Sequence, residues 1–481
     1  MYIHHAENLA RGTPYAETGY IYNAHNPTVG PRTYPPAFPL LLAPLVRVFG
    51  RALWPMKALV VASLAASLVL LLRLFRGVLP SPHLELLVLL TGLNPVLWDF
   101  KDRVVADLPF LCFVLLSFAS FARAAAPAQT PRRLMVSALL AGFFAYAAYA
   151  TRVLGIVLVP TFLAHDLIRR RRVGVAAVAA GAVFVILAGA QYLVWLGDRS
   201  YLDQLTVTPA SLGRNALGYA RSLSDLWANG YSERARKALF LIVGGLAALG
   251  YANAVRVGRN EAGWPEVFPW PYLAVVLVWP SFQGVRFLLP VVPFYLLYCL
   301  RGTRVLDDAV QRRWGRNHLV LAGLSAAAAL SYAGQYSTMP FGRFPSGVGR
   351  PESVAFFEFV KTATDSNAVF VFSKPRALAL FTGRRAAAPF SPSDPCRLWG
   401  YLAEIGASYV VTGPALSADE VDAAAEYLRR FVDQYPTDLR SVWRAQDIAV
   451  YRIERNPCAP TAAGSSRRGW QAGGGASAAA R

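Results

Sequence analysis

The chain has 481 residues, of which 55% are hydrophobic, and 48 Lys and Arg against 28 Asp and Glu give it a formal net charge of +20. This apolar content excludes an ordinary soluble protein. The arginines stand in short groups between apolar segments instead of along one soluble basic face, which argues against a nucleic-acid partner and favours contact with membrane lipids.

The first fifty residues combine two kinds of sequence. They are polar, aromatic and rich in Gly and Pro up to Thr33, whereas the run from Pro35 to Val46 contains no charge. That run is too short to cross a hydrocarbon core of about 30 Å. It predicts a loop followed by a short helix lying at the membrane face, with the polar side chains of the loop at a water–membrane boundary.

A family resemblance lies in three runs of the opening stretch: YIHHAENLARGTPY, then YPPAFPLLLAP, and finally FG. It resembles the first extracytoplasmic loop of the GT-C membrane glycosyltransferases, in the family 39-type branch of protein mannosyltransferases and aminoarabinose transferases. The resemblance implies that Tyr2, His5, Glu7 and Tyr34 contact the donor or acceptor. In that family an Asp general base and a transmembrane helix precede the Tyr that matches Tyr2. We therefore expect Met1 to be internal to a longer protein, with the base upstream.

A series of hydrophobic segments follows residue 51. They cover roughly residues 52–76, 84–98, 105–123, 134–149, 153–168, 174–196, 237–255, 269–281, 287–301 and 318–333. Several are shorter than the 20 or so residues of a spanning helix, so their bounds are approximate. Ionisable residues stand at the segment ends, which weighs against an ion-coupled transporter with buried charges near the midplane.

Groups of arginine predict which side of the membrane each loop faces. If the segments alternate, one side collects Arg73/Arg76, Arg132/Arg133, Arg169 to Arg172, Arg256/Arg259 and Arg301/Arg304/Arg312/Arg313/Arg316. The positive-inside rule makes that side cytoplasmic. The opening loop, residues 99–104, residues 197–236 and the chain after about residue 334 are then predicted to face outward.

The outer segment WDFKDRVVADLPF contains the first candidate site residues. Asp107 is predicted in the first turn of a helix, where the positive helix end stabilises a carboxylate. The run Ala106 to Phe110 resembles an acidic motif of the GT-C family, which implies a catalytic Asp107. Asp102 is a lesser catalytic candidate, and Lys101 and Arg103 are candidate donor contacts. The alternative is that Asp107 only caps a helix and the other charges are solvated.

Two arginines match further elements of the family. Thr151-Arg152 with Gly155 resembles a T-R-x-x-G motif, and Arg286 in RFLLPVVPF matches an R-F-x-x-P-x-x-P-F element. An arginine can hold a phosphate as a two-pronged donor. The alternative for both is an interfacial anchor whose head group reaches the lipid headgroups. We expect Asp107 and Arg286 to converge in one outer site beneath the opening loop.

The end of the chain predicts a small outer α/β domain over residues 334–455 and a disordered tail over 456–481. Helical patterns cover 352–363 and 418–434, and strand patterns cover 368–373, 408–412 and 448–453. Cys396 and Cys458 both fall in this domain, where an oxidising compartment would favour a bridge, although two free thiols remain the alternative.

Together these features predict a mainly α, polytopic bacterial plasma-membrane protein with an opening loop over residues 1–51 and a transmembrane domain over 52–333. The resemblance implies an inverting transferase that moves a sugar from a polyprenyl-phosphate donor to a lipid, glycan or protein acceptor. The alternatives are a transporter or flippase, and a non-catalytic scaffold. The adjacent His4 and His5 lack partners at ligand spacing, so no metal site is predicted. A divalent cation is the one cofactor left open.

Overall fold

The computed structural model of the chain describes residues 1–25, 30–126, 129–194, 207–228, 232–257, 263–280, 282–339, 341, 347–413 and 423–459. Five predictions lie partly outside these residues: the ends of the segments 174–196 and 269–281, the outer segment 197–236, the start of the helix 418–434, and the tail beyond 459. The chain divides into two compact units, Met1–Pro345 and Ser346–Arg481.

The opening stretch contains two helices instead of the predicted loop and single helix. Helix α1 (Tyr2–Arg11) precedes the two-residue strand β1 (Tyr20–Ile21) and helix α2 (Ala37–Phe49). The prediction of α2 is confirmed, but the prediction of a loop over residues 2–11 is wrong. Ala, Glu, Leu and Arg favour a helix there, and Gly12 ends it in the left-handed conformation with φ 71°.

The rest of the first unit is helical. Its helices are α3 (Leu53–Phe75), α4 (His83–Gly92), α5 (Pro95–Lys101), α6 (Asp107–Ala125), α7 (Pro131–Thr151), α8 (Leu158–Arg170), α9 (Val175–Val194), α10 (Pro209–Asp225), α11 (Glu233–Val257), α12 (Trp264–Val267), α13 (Pro269–Val278), α14 (Val292–Trp314) and α15 (Leu319–Thr338). Short 3-10 helices cover Pro31–Thr33, Val153–Val157 and Gly284–Phe287.

Six of the described helices are long and apolar enough to cross a membrane: α3, α6, α7, α9, α11 and α15. The other four predicted segments are shorter or interrupted. The predicted segment 84–98 is broken between α4 and α5, because the Asn94 side chain caps α5 and Pro95 occupies its first turn. In α14 the apolar run ends near Arg301, so the helix continues as a polar one.

Helix α6 lies at the centre of the first unit. Of the six apolar helices it is the most enclosed, with 61% of its apolar window buried. Phe118 of α6 stacks on Trp264 of α12 at 4.2 Å between ring centroids and contacts Phe162 of α8 and Phe294 of α14 edge-on. This aromatic core holds α6 in place, and its first residue, Asp107, lies at one end of it.

The second unit is the predicted α/β domain. Its helices are α16 (Pro351–Ala363), α17 (Pro375–Thr382), α18 (Pro395–Glu404) and α19 (Ala423–Gln434), and its strands are β2 (Val369–Val371), β3 (Arg385–Ala387), β4 (Tyr409–Thr412), β5 (Leu439–Ala445) and β6 (Ile448–Ile453). The strands lie in the order β3-β2-β4-β6-β5. β3, β2 and β4 are parallel, which requires the crossover helices, and β6 and β5 form an antiparallel hairpin.

A disulfide joins Cys396 to Cys458 with a Cα–Cα distance of 5.5 Å. The predicted bridge is therefore confirmed, and it ties the first turn of α18 to the chain just after β6. Closing a loop of 62 residues stabilises a domain by about 4 kcal/mol in the chain-entropy model. Cys112 and Cys299 are free and lie among apolar side chains of the first unit.

Candidate functional site

Three charged side chains from distant parts of the sequence meet at the start of α6. Asp107 is 1% exposed, and the Arg286 Nε lies 2.9 Å from each of its carboxylate oxygens. The Arg152 guanidinium also donates to the Asp107 carboxylate. We call these three residues the arginine–carboxylate cluster. The expectation that Asp107 and Arg286 converge is confirmed by this contact.

The backbone around each arginine explains its position. Arg152 ends α7 in an extended conformation and leads into the 3-10 helix Val153–Val157. A Cβ at Gly155 would lie 2.3 Å from the backbone nitrogen of Tyr149, so only glycine lets the chain fold back this closely. The T-R-x-x-G pattern thus has a structural reason. Arg286 lies on the 3-10 helix Gly284–Phe287, opposite the end of α6.

Aromatic side chains that the sequence did not single out support the cluster. The Arg152 guanidinium lies 4.7 Å from the centre of the Phe287 ring. The hydroxyl of Tyr272 donates to the Phe287 carbonyl at 2.8 Å, which fixes the segment that carries Arg286. Tyr219 of α10 is buried. Burial raises its pKa, and the charge of Arg152 only partly opposes that rise. Only the Phe after Arg286 in RFLLP offered a sequence signal for any of them.

Helix α1 places Tyr2 at the cluster. Its ring lies 5.5 Å from Tyr34 and 5.1 Å from Phe38 between centroids. Burial raises the pKa of Tyr2, and the positive charges of Arg286 and Arg152 only partly oppose that rise. Tyr2 therefore stays a neutral phenol that can donate a hydrogen bond at physiological pH. Tyr34 contacts the Tyr2 ring edge-on, and the contact of both residues with a substrate stays a prediction.

His5 and Tyr15 connect α1 to the segment before α2. The imidazole of His5 is fully buried, stacks on Tyr15 at 4.1 Å, and its Nδ1 lies 2.8 Å from the Tyr15 carbonyl oxygen. The Tyr15 hydroxyl donates to the Tyr34 carbonyl at 3.0 Å. The buried Asn8 amide donates to the Glu17 carbonyl at 2.8 Å. These bonds connect α1 to the segment that precedes α2.

The carboxylate of Glu7 forms an ion pair with Arg51. Its carboxylate is 2% exposed and accepts two hydrogen bonds from Arg51, one of them at 2.9 Å from Arg51 Nη2. Arg51 stands just before α3. Glu7 therefore ties α1 to the start of the first long apolar helix, and this ion pair occupies both of its oxygens.

The remaining predicted residues pair locally. Lys101 Nζ lies 2.7 Å from an Asp102 oxygen and 4.5 Å from the centre of the Trp98 ring, and Arg103 pairs with Asp99 at 2.6 Å. Among the residues that the structure describes, no ion pair joins Lys101, Asp102 or Arg103 to the arginine–carboxylate cluster. Their side chains belong to the exposed end of α5.

The cluster carries an excess of positive charge. Two guanidinium groups face one carboxylate, so the three side chains together are cationic in a largely enclosed place. Such an arrangement suits an anion with several oxygens, because a guanidinium presents five N–H donors in a fixed fork geometry. Within the described residues, the His and carboxylate side chains close enough to share a metal ion lie elsewhere, at His83, Asp307 and His318.

The sequence matches no protein-family model and no curated protein. Solved structures do match the fold. ArnT from Cupriavidus metallidurans bound to undecaprenyl phosphate has a TM-score of 0.57 and 12% identity over 94% of this chain and 92% of that one. The Archaeoglobus fulgidus oligosaccharyltransferase in its apo form has a TM-score of 0.52 and 12% identity over 86% of this chain and 65% of that one.

The chain has the GT-C fold. The match to ArnT spans most of both chains. A third match is the A. fulgidus oligosaccharyltransferase tethered with an acceptor peptide, with a TM-score of 0.54 and 11% identity over 94% of this chain and 70% of that one. At these identities the GT-C likeness concerns the fold.

Proposed function

We propose that the chain is a membrane glycosyltransferase that moves a sugar from a polyprenyl-phosphate donor to an extracytoplasmic hydroxyl, with inversion at the anomeric carbon. The observation that carries the proposal is the arginine–carboxylate cluster, in which a buried Asp107 gathers two arginines 45 and 179 residues away in sequence. The GT-C fold supports it, since one matching structure, ArnT, is bound to undecaprenyl phosphate.

In this proposal the arginines bind the phosphate of the donor lipid. The acceptor oxygen attacks the anomeric carbon, and the bond from that carbon to the phosphate oxygen breaks. Polyprenyl phosphate leaves with the bonding electrons, and Arg152 and Arg286 stabilise the negative charge that develops on it. Tyr2 and Tyr219 add phenol groups at the edge of the same cluster.

The acceptor hydroxyl must lose a proton to a carboxylate base, a step that contributes roughly 10²–10⁴-fold to the rate. Asp107 already accepts hydrogen bonds from both arginines. It would serve as that base only after the donor phosphate had drawn the guanidinium groups away from it. In the resting arrangement its role is to hold the two arginines together.

Binding of the lipid tests the proposal most directly. The purified protein in nanodiscs is titrated with undecaprenyl phosphate and, as a control ligand, with undecaprenol, which lacks the phosphate. We expect saturable binding of the phosphate lipid only. Replacing Arg286 by Gln should weaken it by about 10–100-fold, because a charge-assisted hydrogen bond contributes about 1.5–3 kcal/mol.

Arg47→Gln is the matched control, since Arg47 is an exposed arginine of α2 outside the cluster. Arg103→Gln tests a predicted donor contact that lies outside the cluster. Equal binding of both lipids, or unchanged binding by Arg286→Gln, would contradict the phosphate site. Transfer is then assayed with a panel of polyprenyl-phosphate sugars, and phosphate-lipid binding without transfer of any sugar would favour a scaffold or flippase instead.

A further inference from the structure

Three side chains with metal-ligating atoms meet near the C-terminal end of α14, the end away from Arg286. His83 begins α4, Asp307 lies in the polar half of α14, and His318 directly precedes α15. Each offers one ligand atom, and these atoms lie within 4.8 Å of one another. About 22 Å of helix axis separates Asp307 from Val292, where α14 begins. We call these three residues the histidine cluster.

His83 gives the strongest indication of a ligand. Its side chain is 2% exposed, and neither ring nitrogen has a hydrogen-bond partner among the described residues. A buried polar group without a partner is costly, so most such groups in folded proteins are paired with protein atoms, water or an ion. Both nitrogens of His83 are therefore available, and one of them faces the other two members of the cluster.

The carboxylate of Asp307 is held in a fixed orientation by backbone hydrogen bonds. It is 6% exposed, and its carboxylate accepts hydrogen bonds from the Val320 nitrogen at 2.8 Å and from the Leu321 nitrogen at 3.2 Å. These backbone donors, in the first turn of α15, fix the plane of the carboxylate. Each oxygen keeps a second lone pair for another partner. Donors of this kind behind a ligating carboxylate are typical of metal sites.

His318 adopts an unusual backbone conformation. Its φ of 60° lies in the left-handed region, which residues other than Gly and Asn rarely adopt. This conformation turns the chain between α14 and α15 so that its ring centre lies 5.9 Å from that of His83. The two imidazoles are tilted by 60° to one another, and both residues line a cavity of about 100 Å³.

We propose that His83, Asp307 and His318 bind a divalent first-row transition-metal ion of the Zn²⁺ class. Two imidazoles with one carboxylate suit such ions, whereas Mg²⁺ and Ca²⁺ prefer oxygen ligands alone. Ligand atoms around a tetrahedral zinc lie roughly 3.4 Å apart for bonds of about 2.1 Å. Small side-chain rotations close the difference from 4.8 Å, and the cavity leaves room for water as the fourth ligand.

The surrounding charges allow a cation. Asp308 and Arg304 also line this cavity. The guanidinium of Arg304 and the positive end of α15 oppose a bound cation, whereas the carboxylates of Asp307 and Asp308 favour it. Two carboxylates against one guanidinium leave the site acidic overall. A bound ion would tie the ends of α4, α14 and α15 together, far along α14 from the arginine–carboxylate cluster.

Metal binding by the 481-residue chain tests this inference independently of the proposed transferase. The protein is purified with a tag that contains no histidine, stripped with chelator, and titrated with Zn²⁺ by calorimetry and with Co²⁺ by visible absorption. We expect one saturable site per chain. His83→Asn and His318→Asn should each weaken binding at least about tenfold. Zn²⁺ should also raise the thermal midpoint of the wild type but not of these variants.

His318→Asn is the sharper variant, because Asn tolerates the left-handed conformation and His318 is exposed. Asn317→Ala is the matched control, since it changes an exposed neighbour that lines the same cavity. Its affinity should equal that of the wild type. No saturable binding, or equal affinity in His83→Asn, His318→Asn and the wild type, would overturn the site.

Discussion

At the scale of single residues, Asp107 shows how one buried charge organises a site. A carboxylate that is 1% exposed is costly to bury unless it is paired and hydrogen-bonded. Arg286 meets this need with its Nε at 2.9 Å from both oxygens, and Arg152 adds a second partner. The arginines in turn are held in place by Asp107.

Asp107→Asn should therefore affect both stability and transfer. The substitution leaves two guanidinium groups facing each other without a shared negative partner. We expect unfolding to become easier by about 3 kcal/mol, the low end for a broken buried ion pair because the Arg286 side chain is 32% exposed. Sugar transfer should fall by about 10²–10³-fold as the phosphate contacts lose their positions. Thermal unfolding and steady-state kinetics measure the two effects.

The control is Asp99→Asn, which breaks an exposed pair with Arg103. An exposed pair contributes at most about 1 kcal/mol, so this variant should unfold like the wild type. If Asp107→Asn has the same thermal midpoint and the same rate as Asp99→Asn, the cluster is neither a structural centre nor part of the site.

At the scale of elements, α11 and α14 cross at two glycines. A Cβ at Gly250 would lie 2.0 Å from the Tyr298 carbonyl oxygen, and a Cβ at Gly302 would lie 2.0 Å from the Leu246 carbonyl oxygen. Helices inside a membrane gain little from the hydrophobic effect between them, so close packing through small residues supplies much of their attraction. This crossing fixes the helix that joins the Arg286 segment to Asp307.

We expect Gly250→Ala to separate α11 from α14 and to lower the free energy of unfolding by about 1–3 kcal/mol, as overpacking does. Gly244 is the matched control in the same helix, since no heavy atom lies within 4 Å of a Cβ placed there. Gly244→Ala should be neutral or slightly stabilising, because Ala favours a helix more than Gly does. Equal thermal midpoints for the two variants would show that the crossing is not tight.

At the scale of the whole molecule, the distribution of arginine predicts which side of the membrane each end of the helices faces. The proposal needs the arginine–carboxylate cluster on the outer side, where the acceptor lies. It also needs the loop at Arg169–Arg172 on the inner side. The disulfide between Cys396 and Cys458 agrees with an oxidising compartment for the second unit, because such bridges persist there.

Cysteine labelling of intact cells checks this orientation. In a background without Cys112 and Cys299, an impermeant maleimide should label Ala363→Cys at the exposed end of α16. It should label Arg172→Cys only after the cells are permeabilised. The labelling pattern reverses if the chain is inserted the other way. That result would contradict the proposed function, because the site and the acceptor would then lie on opposite sides of the membrane.

The sequence by itself determined the features that depend on neighbouring residues. Six of the apolar segments, the helix α2, and the patterns for α16, β2, β4 and β6 follow from local periodicity and composition. The predictions of secondary structure were wrong where a capping or helix-ending residue changed the structure of its neighbours. Asn94 caps a new helix inside an apolar segment, and the polar residues 2–11 form a helix that ends at Gly12.

The family resemblance predicted that Asp107 and Arg286 share a site, and only the tertiary structure decided their other partners. Asp107, Arg152 and Arg286 were each predicted, but the ion pairs that join them span up to 179 residues. His83 and Asp307 carry no motif at all, and the pairing of Glu7 with Arg51 joins residues 44 apart in sequence. Contacts of this kind depend on how whole helices pack against one another. A single sequence shows the pattern of residues along each helix, but it does not show which helices become neighbours.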